Sequence, residues 1–312
     1  MMTFPGARSM LFRRKAGPLF FLYSETGVQL VFPGCSGGSR LVPDGLAWWS
    51  RAGRTMASRF PALSTINLQS ASQRFRRLEQ FVQARYRNTF GRTVKYLARY
   101  IAPGGVVLDI GANHGKFAKN FARLHRGSCQ VYCFEPLEYN YTLLERVVGR
   151  YDNVKVLQVA LSDATGEAQL YVPAKDHRRI THGSAHLGDE TRDVDFGTST
   201  AHQVYCQTIT TDTLDDVMRR ENLDRLDFMK IDVEGAEPLV LRGGRQAIEK
   251  HKPGIYCELR PGAGNCLGLN TDDTITLLRD IGYEMYELDD STGEVHDCAE
   301  VRKDLRDYLF LA

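Results

Sequence analysis

A chain of 312 residues with 43% hydrophobic content can bury one α/β domain of ordinary size plus an extra N-terminal segment, and needs no second catalytic domain. Seven cysteines, an odd count with no C-x-x-C pair, argue against a disulfide framework and for a reducing, cytoplasmic setting. No apolar run approaches the roughly 20 residues a membrane-spanning helix requires.

The net charge of +2 conceals a strong asymmetry, because residues 1–100 carry 16 Lys and Arg against 3 Asp and Glu, and the rest carries 24 against 35. Such a basic arm can attract a polyanion (nucleic acid, phospholipid or a charged glycan) or cover the acidic domain of its own or a neighbouring subunit. Residues 1–60 are rich in Gly, Ser, Pro and Arg and read as an irregular basic extension. Arg13-Arg14-Lys15 before an apolar patch resembles the start of a signal peptide, but the run is short and is broken by Glu25. Met56 precedes the first helical periodicity, so residues 1–55 are expected to be an upstream extension from an over-long gene model rather than part of the native protein.

Residues 61–102 read as an amphipathic helical segment capping the domain. From Ser70 onward Phe75, Leu78, Val82 and Tyr86 recur at helical spacing, and Gly91 separates this helix from a second over Thr93–Tyr100. The domain proper spans 103–312. Its first strand, Val106–Ile110, breaks at Gly111-Ala112-Asn113-His114-Gly115 and is followed by a helical pattern over Lys116–Arg126. Glycines at 111 and 115 let the backbone turn sharply and approach a ligand, with helix N–H groups pointing at the same place. A dinucleotide site wants G-x-G-x-x-G, and the third glycine is missing here. Asp109 at the strand end suits a positively charged amino acid moiety, such as the methionine part of S-adenosylmethionine.

A second strand, Gln130–Phe134, ends at Glu135-Pro136, where an acidic tip can accept both ribose hydroxyls of a nucleoside. Leu137, Tyr141, Leu144 and Val148 then recur at helical spacing. The third strand, Val154–Leu161, ends at Ser162-Asp163, and the fourth, Leu226–Ile231, at Asp232-Val233-Glu234-Gly235. Between them, residues 172–205 form the least regular stretch, too long for an ordinary loop and placed to recognise a substrate. Strands over Ile255–Leu259 and Tyr283–Leu288, a helix over Thr271–Ile281 and a final antiparallel strand over Asp307–Leu311 complete the pattern.

Four ordered blocks, Val107–Gly115, Phe134-Glu135-Pro136, Ala160–Asp163 and Lys230–Glu237, resemble the FkbM family of S-adenosylmethionine-dependent methyltransferases over roughly residues 90–290. The resemblance implies a Rossmann-like class I methyltransferase fold, with a mainly parallel seven-stranded sheet and helices on both faces. It implies methyl transfer to a hydroxyl of a small molecule, natural product or glycan. The expected cofactor contacts are Asp109, Gly111, Asn113, Gly115, Glu135, Ser162, Asp163 and Asp232. Asp232 can fix the donor's amino group or the acceptor, Lys230 on the same strand face can lower an alcohol's pKa or bind the donor carboxylate, and His182 or His186 can act as general base. Glu234 and Glu237 divide between helix support and the active site.

Zinc is not expected, since no H-E-x-x-H pattern accompanies the histidines. A magnesium site from Asp163, Asp232 and Glu258 stays unassigned. Two other functions remain open at this point: an RNA-directed methyltransferase, suggested by the basic arm, and a non-catalytic partner-binding module on the same fold.

Overall fold

The computed structural model describes residues 9–14, 17–24, 27–31, 71–174, 186–187, 203–261, 267–302 and 306–312. It divides into two compact units, Met1–Asn67 and Leu68–Ala312.

In the first unit β1 (Ser9–Arg14), β2 (Gly17–Ser24) and β3 (Gly27–Val31) form an antiparallel sheet in that order. Phe21 of β2 pairs with Met10 on one side and Leu30 on the other. Residues 9–14, 17–24 and 27–31 are thus strands where the sequence reads as irregular. Leu19–Tyr23 is aromatic and apolar without interruption, a composition that favours extended chain, and only two residues separate successive strands.

The second unit opens with α1 (Ala71–Tyr86) and α2 (Gly91–Leu97), the latter followed by a 3₁₀ turn over Ala98–Tyr100. The expected apolar stripe on α1 is not its inward face. Leu78 and Tyr86 are exposed, whereas Arg77 and Ala84 are buried. The cause lies opposite: Tyr139 offers a ring, over which the Arg77 guanidinium sits at 4.7 Å, and Thr142 accepts its hydrogen bond. Lys119 donates to the Ala84 and Arg87 carbonyls and so satisfies the C-terminal end of α1.

The strands β4 (Val106–Ile110), β5 (Gln130–Phe134), β6 (Val154–Leu157), β11 (Phe228–Ile231) and β12 (Gly254–Glu258) run parallel, in the spatial order β6-β5-β4-β11-β12. Beyond β12 come the antiparallel β15 (Asp307–Leu311) and β13 (Glu284–Leu288), giving the seven strands expected, and a short edge strand β14 (Val295–Asp297) makes an eighth. Every residue of β4 is buried, because apolar cores cover both faces of the sheet. Val106, Leu108 and Ile110 point into one core with Met229, Ile231 and Val240. Val107 enters the other, with Val131, Leu144 and Phe121.

Helices α3 (Ala118–Phe121) and α4 (Glu138–Val148) pack on one side of this sheet. Helix α3 is a single turn, shorter than the pattern over Lys116–Arg126 predicts, since His125 and Arg126 take left-handed backbone angles. Helices α5 (Leu214–Arg220), α6 (Glu237–Gly243), α7 (Arg245–His251) and α8 (Thr271–Asp280) contribute to the other core. Asn270 caps α8 through a reciprocal pair of hydrogen bonds with Asp273.

A second sheet has the order β7-β10-β8-β9, from β7 (Ala160–Leu161), β8 (Gly166–Ala174), β9 (His186–Leu187) and β10 (Gln203–Asp212). The predicted third strand is thus two strands in different sheets, divided at Gln158-Val159. The insertion is also more ordered than a loop at its base: β8 and β10 pair antiparallel from Gly166↔Thr211 to Ala174↔Gln203. Leu170, Val172 and Ile209 bury one face of this ladder against Leu137 and Tyr139. Residues 175–185 and 188–202 of the insertion lie outside the described residues, as do 61–70 of the predicted cap.

Candidate active site

The carboxyl ends of β4, β5 and β11 converge on a cleft lined by Gly111, Asn113, Glu135, Asn140, Asp232, Glu234 and Glu258, with Phe134, Val159, Leu161 and Leu170 as an apolar wall. This is where ligands bind in open parallel sheets.

The loop after β4 is shaped by steric necessity. Gly111 has φ +72°, and a Cβ there would lie 1.9 Å from the Asp232 carbonyl oxygen, so only glycine allows the two strand ends to meet. Asn113 is left-handed at φ +49°, which turns its N–H onto Glu135 Oε2 at 2.8 Å. The loop N–H expected to face a ligand is therefore partly committed to Glu135, and one-turn α3 adds little dipole.

Glu135 is buried and held from three directions. Its carboxylate accepts from Asn113 N–H, from Leu137 N–H at 3.0 Å and from Asn140 Nδ2 at 3.4 Å. Burial pushes its pKa up to about 7, against the pull of those donors. Asn140, which sequence reasoning missed, also holds the His114 ring at 3.2 Å. The signal for it was its place in the first turn of the helix behind Glu135-Pro136.

Lys230 is buried, and its ammonium donates to the Gly111 carbonyl at 3.0 Å and to Asp232 Oδ2 at 3.1 Å, with Asp109 Oδ1 at 3.6 Å. It does face the same side as Asp232. Its charge, however, is shared among three oxygens of the protein, which hold it in the charged form despite burial. Asp109 is fully buried behind this ammonium and is not part of the cleft wall. Burial raises its pKa, and Lys230 opposes that.

Asp232, Glu234 and Glu258 bring one carboxylate oxygen each within 4.8 Å of one another. Arg260, also unforeseen from sequence, bridges Glu234 at 2.6 Å and Glu258 at 3.3 Å. Burial and the hydrogen bond with Asp232 push the Glu258 pKa up, and burial takes Glu234 up to about 7. Burial is the largest influence on Asp232 and raises its pKa, but the Lys230 charge, the hydrogen bonds with Glu258 and Lys230, and Arg260 together outweigh it and hold the pKa low. The oxygen set suggested for magnesium is therefore revised: Asp163 is exposed and lies outside the group, and Glu234 takes its place beside Asp232 and Glu258. Three carboxylates suit a hard cation, although Arg260 already supplies countercharge.

Glu237 resolves to helix support, accepting from Gly235 N–H at 3.1 Å and Val233 N–H at 3.3 Å. Gly115 abuts Leu144 and Val148 and serves packing of the loop, while Ser162 is buried with its N–H on the Asp212 carbonyl at 2.8 Å. Neither lines the cleft. His182 lies outside the described residues, and His186 is described only as backbone of β9.

A nucleoside with a cationic tail fits these residues. The Glu135 carboxylate can take ribose hydroxyls, the apolar wall a base, and the acidic side of the cleft a positive charge. Residues 109–285 match the family profile described as the methyltransferase FkbM domain. The 2-O-methyltransferase NoeI of Sinorhizobium fredii is 30% identical over 164 residues, which cover 50% of this chain and 63% of that protein. The chain thus spans less than two thirds of that relative. The 31-O-demethyl-FK506 methyltransferase FkbM of Streptomyces tacrolimicus is 27% identical over 223 residues, covering 65% of this chain and 82% of that one. A crystal structure of a methyltransferase FkbM from Methylobacillus flagellatus aligns with a TM-score of 0.41 at 16% identity, over 76% of this chain and 59% of that one.

Proposed function

From a chain that belongs to the FkbM methyltransferase family, we infer an S-adenosylmethionine-dependent O-methyltransferase that acts on a hydroxyl of a small natural product or a sugar. The observation that carries the reading is the meeting of Gly111, Glu135 and Asp232 on one cleft with an apolar wall. The names of the two relatives, one a 2-O-methyltransferase and one acting on 31-O-demethyl-FK506, favour a hydroxyl acceptor.

When bound, the donor supplies a methyl carbon on a positively charged sulfur. Glu135 would hold the ribose, Phe134, Leu161 and Leu170 the base, and Asp232 the ammonium of the amino acid tail. Lys230 acts at one remove, since its hydrogen bonds to Gly111 and Asp232 fix both sides of the cleft. Holding the acceptor oxygen in line behind the methyl carbon supplies much of the acceleration. The acceptor hydroxyl must also lose its proton. Among the described residues, Glu258 is the base best placed for this, a cleft carboxylate whose raised pKa makes it a stronger proton acceptor than an ordinary glutamate. The bound donor would supply the methyl group to the acceptor oxygen, and the proton that the acceptor hydroxyl gives up would stay on the Glu258 carboxylate.

The test is label transfer. The full chain is incubated with methyl-labelled S-adenosylmethionine and extracts fractionated into glycan, lipid, RNA, protein and small molecules. Label in the glycan or small-molecule fraction is expected. Label in RNA alone would replace this reading with an RNA-directed one, and failure of the donor to bind in calorimetry would remove it. Among the described residues no helix is long and apolar enough to cross a membrane.

A further inference from the structure

Arg77 projects from α1 toward α4 and is only 1% exposed, yet its Nε and Nη1 have no hydrogen-bond partner. Its remaining nitrogen, Nη2, donates to Thr142, and the guanidinium plane rests on Tyr139. On the same helix as Tyr139 and Thr142, Arg146 has a second buried nitrogen, Nη2, also without a partner. Burying a guanidinium without countercharge is costly, so three unpaired nitrogens on neighbouring arginines require an explanation.

Among the described residues no carboxylate accepts a hydrogen bond from these three nitrogens. Glu138 and Glu145 act on these arginines only through space, and Glu145 already accepts from Tyr141 at 2.7 Å. Cationic groups, by contrast, accumulate. Arg76 acts on Tyr139, and His114 is driven down to about 4 by burial, by Lys116 and by Arg77. Burial lowers the pKa of both Arg77 and Arg146, and Arg77 is lowered further by Arg146.

We propose that Arg77 and Arg146, between α1 and α4, form a binding site for an oxyanion of the phosphate or carboxylate class, separate from the Asp232 side of the cleft. Guanidinium groups match such anions in geometry and charge. Helix α4 carries both the proposed site and a contact to the donor cleft, because Asn140, next to Tyr139, bonds His114 and Glu135. Anion binding there therefore bears on the residue proposed to hold the donor ribose.

Two sources carry this chemistry, a phosphate (free or on an acceptor) and the donor's own carboxylate. The full chain, as wild type and as the variants Arg77→Met and Arg146→Gln, is titrated with inorganic phosphate, with sodium chloride at matched ionic strength as control. The same proteins are titrated with S-adenosylhomocysteine and with methylthioadenosine, which lacks the carboxylate. For a phosphate site, phosphate raises the wild-type melting temperature beyond the chloride control, and each variant weakens phosphate binding by about tenfold or more. For a donor-carboxylate site, the variants lose about tenfold in S-adenosylhomocysteine affinity and nothing for methylthioadenosine. Without anion, Arg77→Met is expected to melt no lower than wild type, since it removes an unpaired buried charge. Phosphate acting only like chloride, with equal losses or none for the two nucleosides, overturns the proposal. Arg146 is less buried than Arg77, so Arg146→Gln keeps the test alive even where Arg77→Met fails to fold.

Discussion

The Lys230 ammonium donates to the Gly111 carbonyl at 3.0 Å and thereby ties the tip of β11 to the loop that follows β4. The same ammonium answers Asp232 at 3.1 Å and Asp109 at 3.6 Å, so a single cation balances two carboxylates. Lys230→Met removes the cation and leaves Asp109 buried, and Asp232 half-buried at the cleft, without it. The expected loss is about 3–5 kcal/mol of stability, the usual cost of breaking a buried pair from one side. Urea denaturation measures it, and a midpoint within error of wild type would show that Lys230 is not the central countercharge of this site.

Gly111→Ala tests the closeness of the two strand ends directly. The added methyl would lie 1.9 Å from the Asp232 carbonyl oxygen, at a φ of +72° that alanine disfavours. The loop or the β11 tip must move, and donor affinity by calorimetry is expected to fall at least tenfold, about 1.4 kcal/mol. Unchanged affinity would place the donor elsewhere.

Glu135 carries a pH signature. Burial lifts its pKa from 4.5 to about 7, so the folded protein keeps a proton that the unfolded chain releases at lower pH. Its contribution to stability is present below about pH 4.5 and is lost as pH rises through 7, to a total of about 3 kcal/mol. Wild type should lose melting temperature between pH 5 and about 8, and Glu135→Gln should flatten that slope. Donor affinity runs the other way, improving as Glu135 ionises and becomes a better acceptor for hydroxyl groups. Parallel melting curves for variant and wild type across this range would refute the assignment.

How much of this was legible in the sequence depends on how sharply each apolar run ends. β4 and β5 stop at Gly111 and Glu135, and both the strands and the cleft they build could be read from that punctuation. The run from Val154 to Leu161 has no such stop, and its break into two sheets is a tertiary event. Asp109 looked like a cleft residue because it ends a strand, but β4 is covered on both faces and its side chain lies inside. The inward face of α1 is not legible in the sequence because apolar periodicity assumes an apolar partner, whereas α4 presents Tyr139 and Thr142 to a guanidinium. Arg260 escaped notice since only the fold brings it between Glu234 and Glu258.

Glu258 separates chemistry from binding. It lines the cleft, shares a hydrogen bond with Asp232, and is held at 3.3 Å by Arg260, so the isosteric Glu258→Gln keeps the shape of the site while removing a proton acceptor. A general base contributes about 10²–10⁴ in rate, and a loss in that range in kcat is expected with donor affinity nearly unchanged. Since burial and Asp232 raise the Glu258 pKa, wild-type kcat should climb from neutral into mildly alkaline pH as the carboxylate ionises, and the residual rate of the variant should lack that step. A variant that retains the step would move the base to another group. A variant that loses donor binding and rate together would make Glu258 part of the donor's seat instead, because a residue acting only on the acceptor proton has no effect on the donor complex.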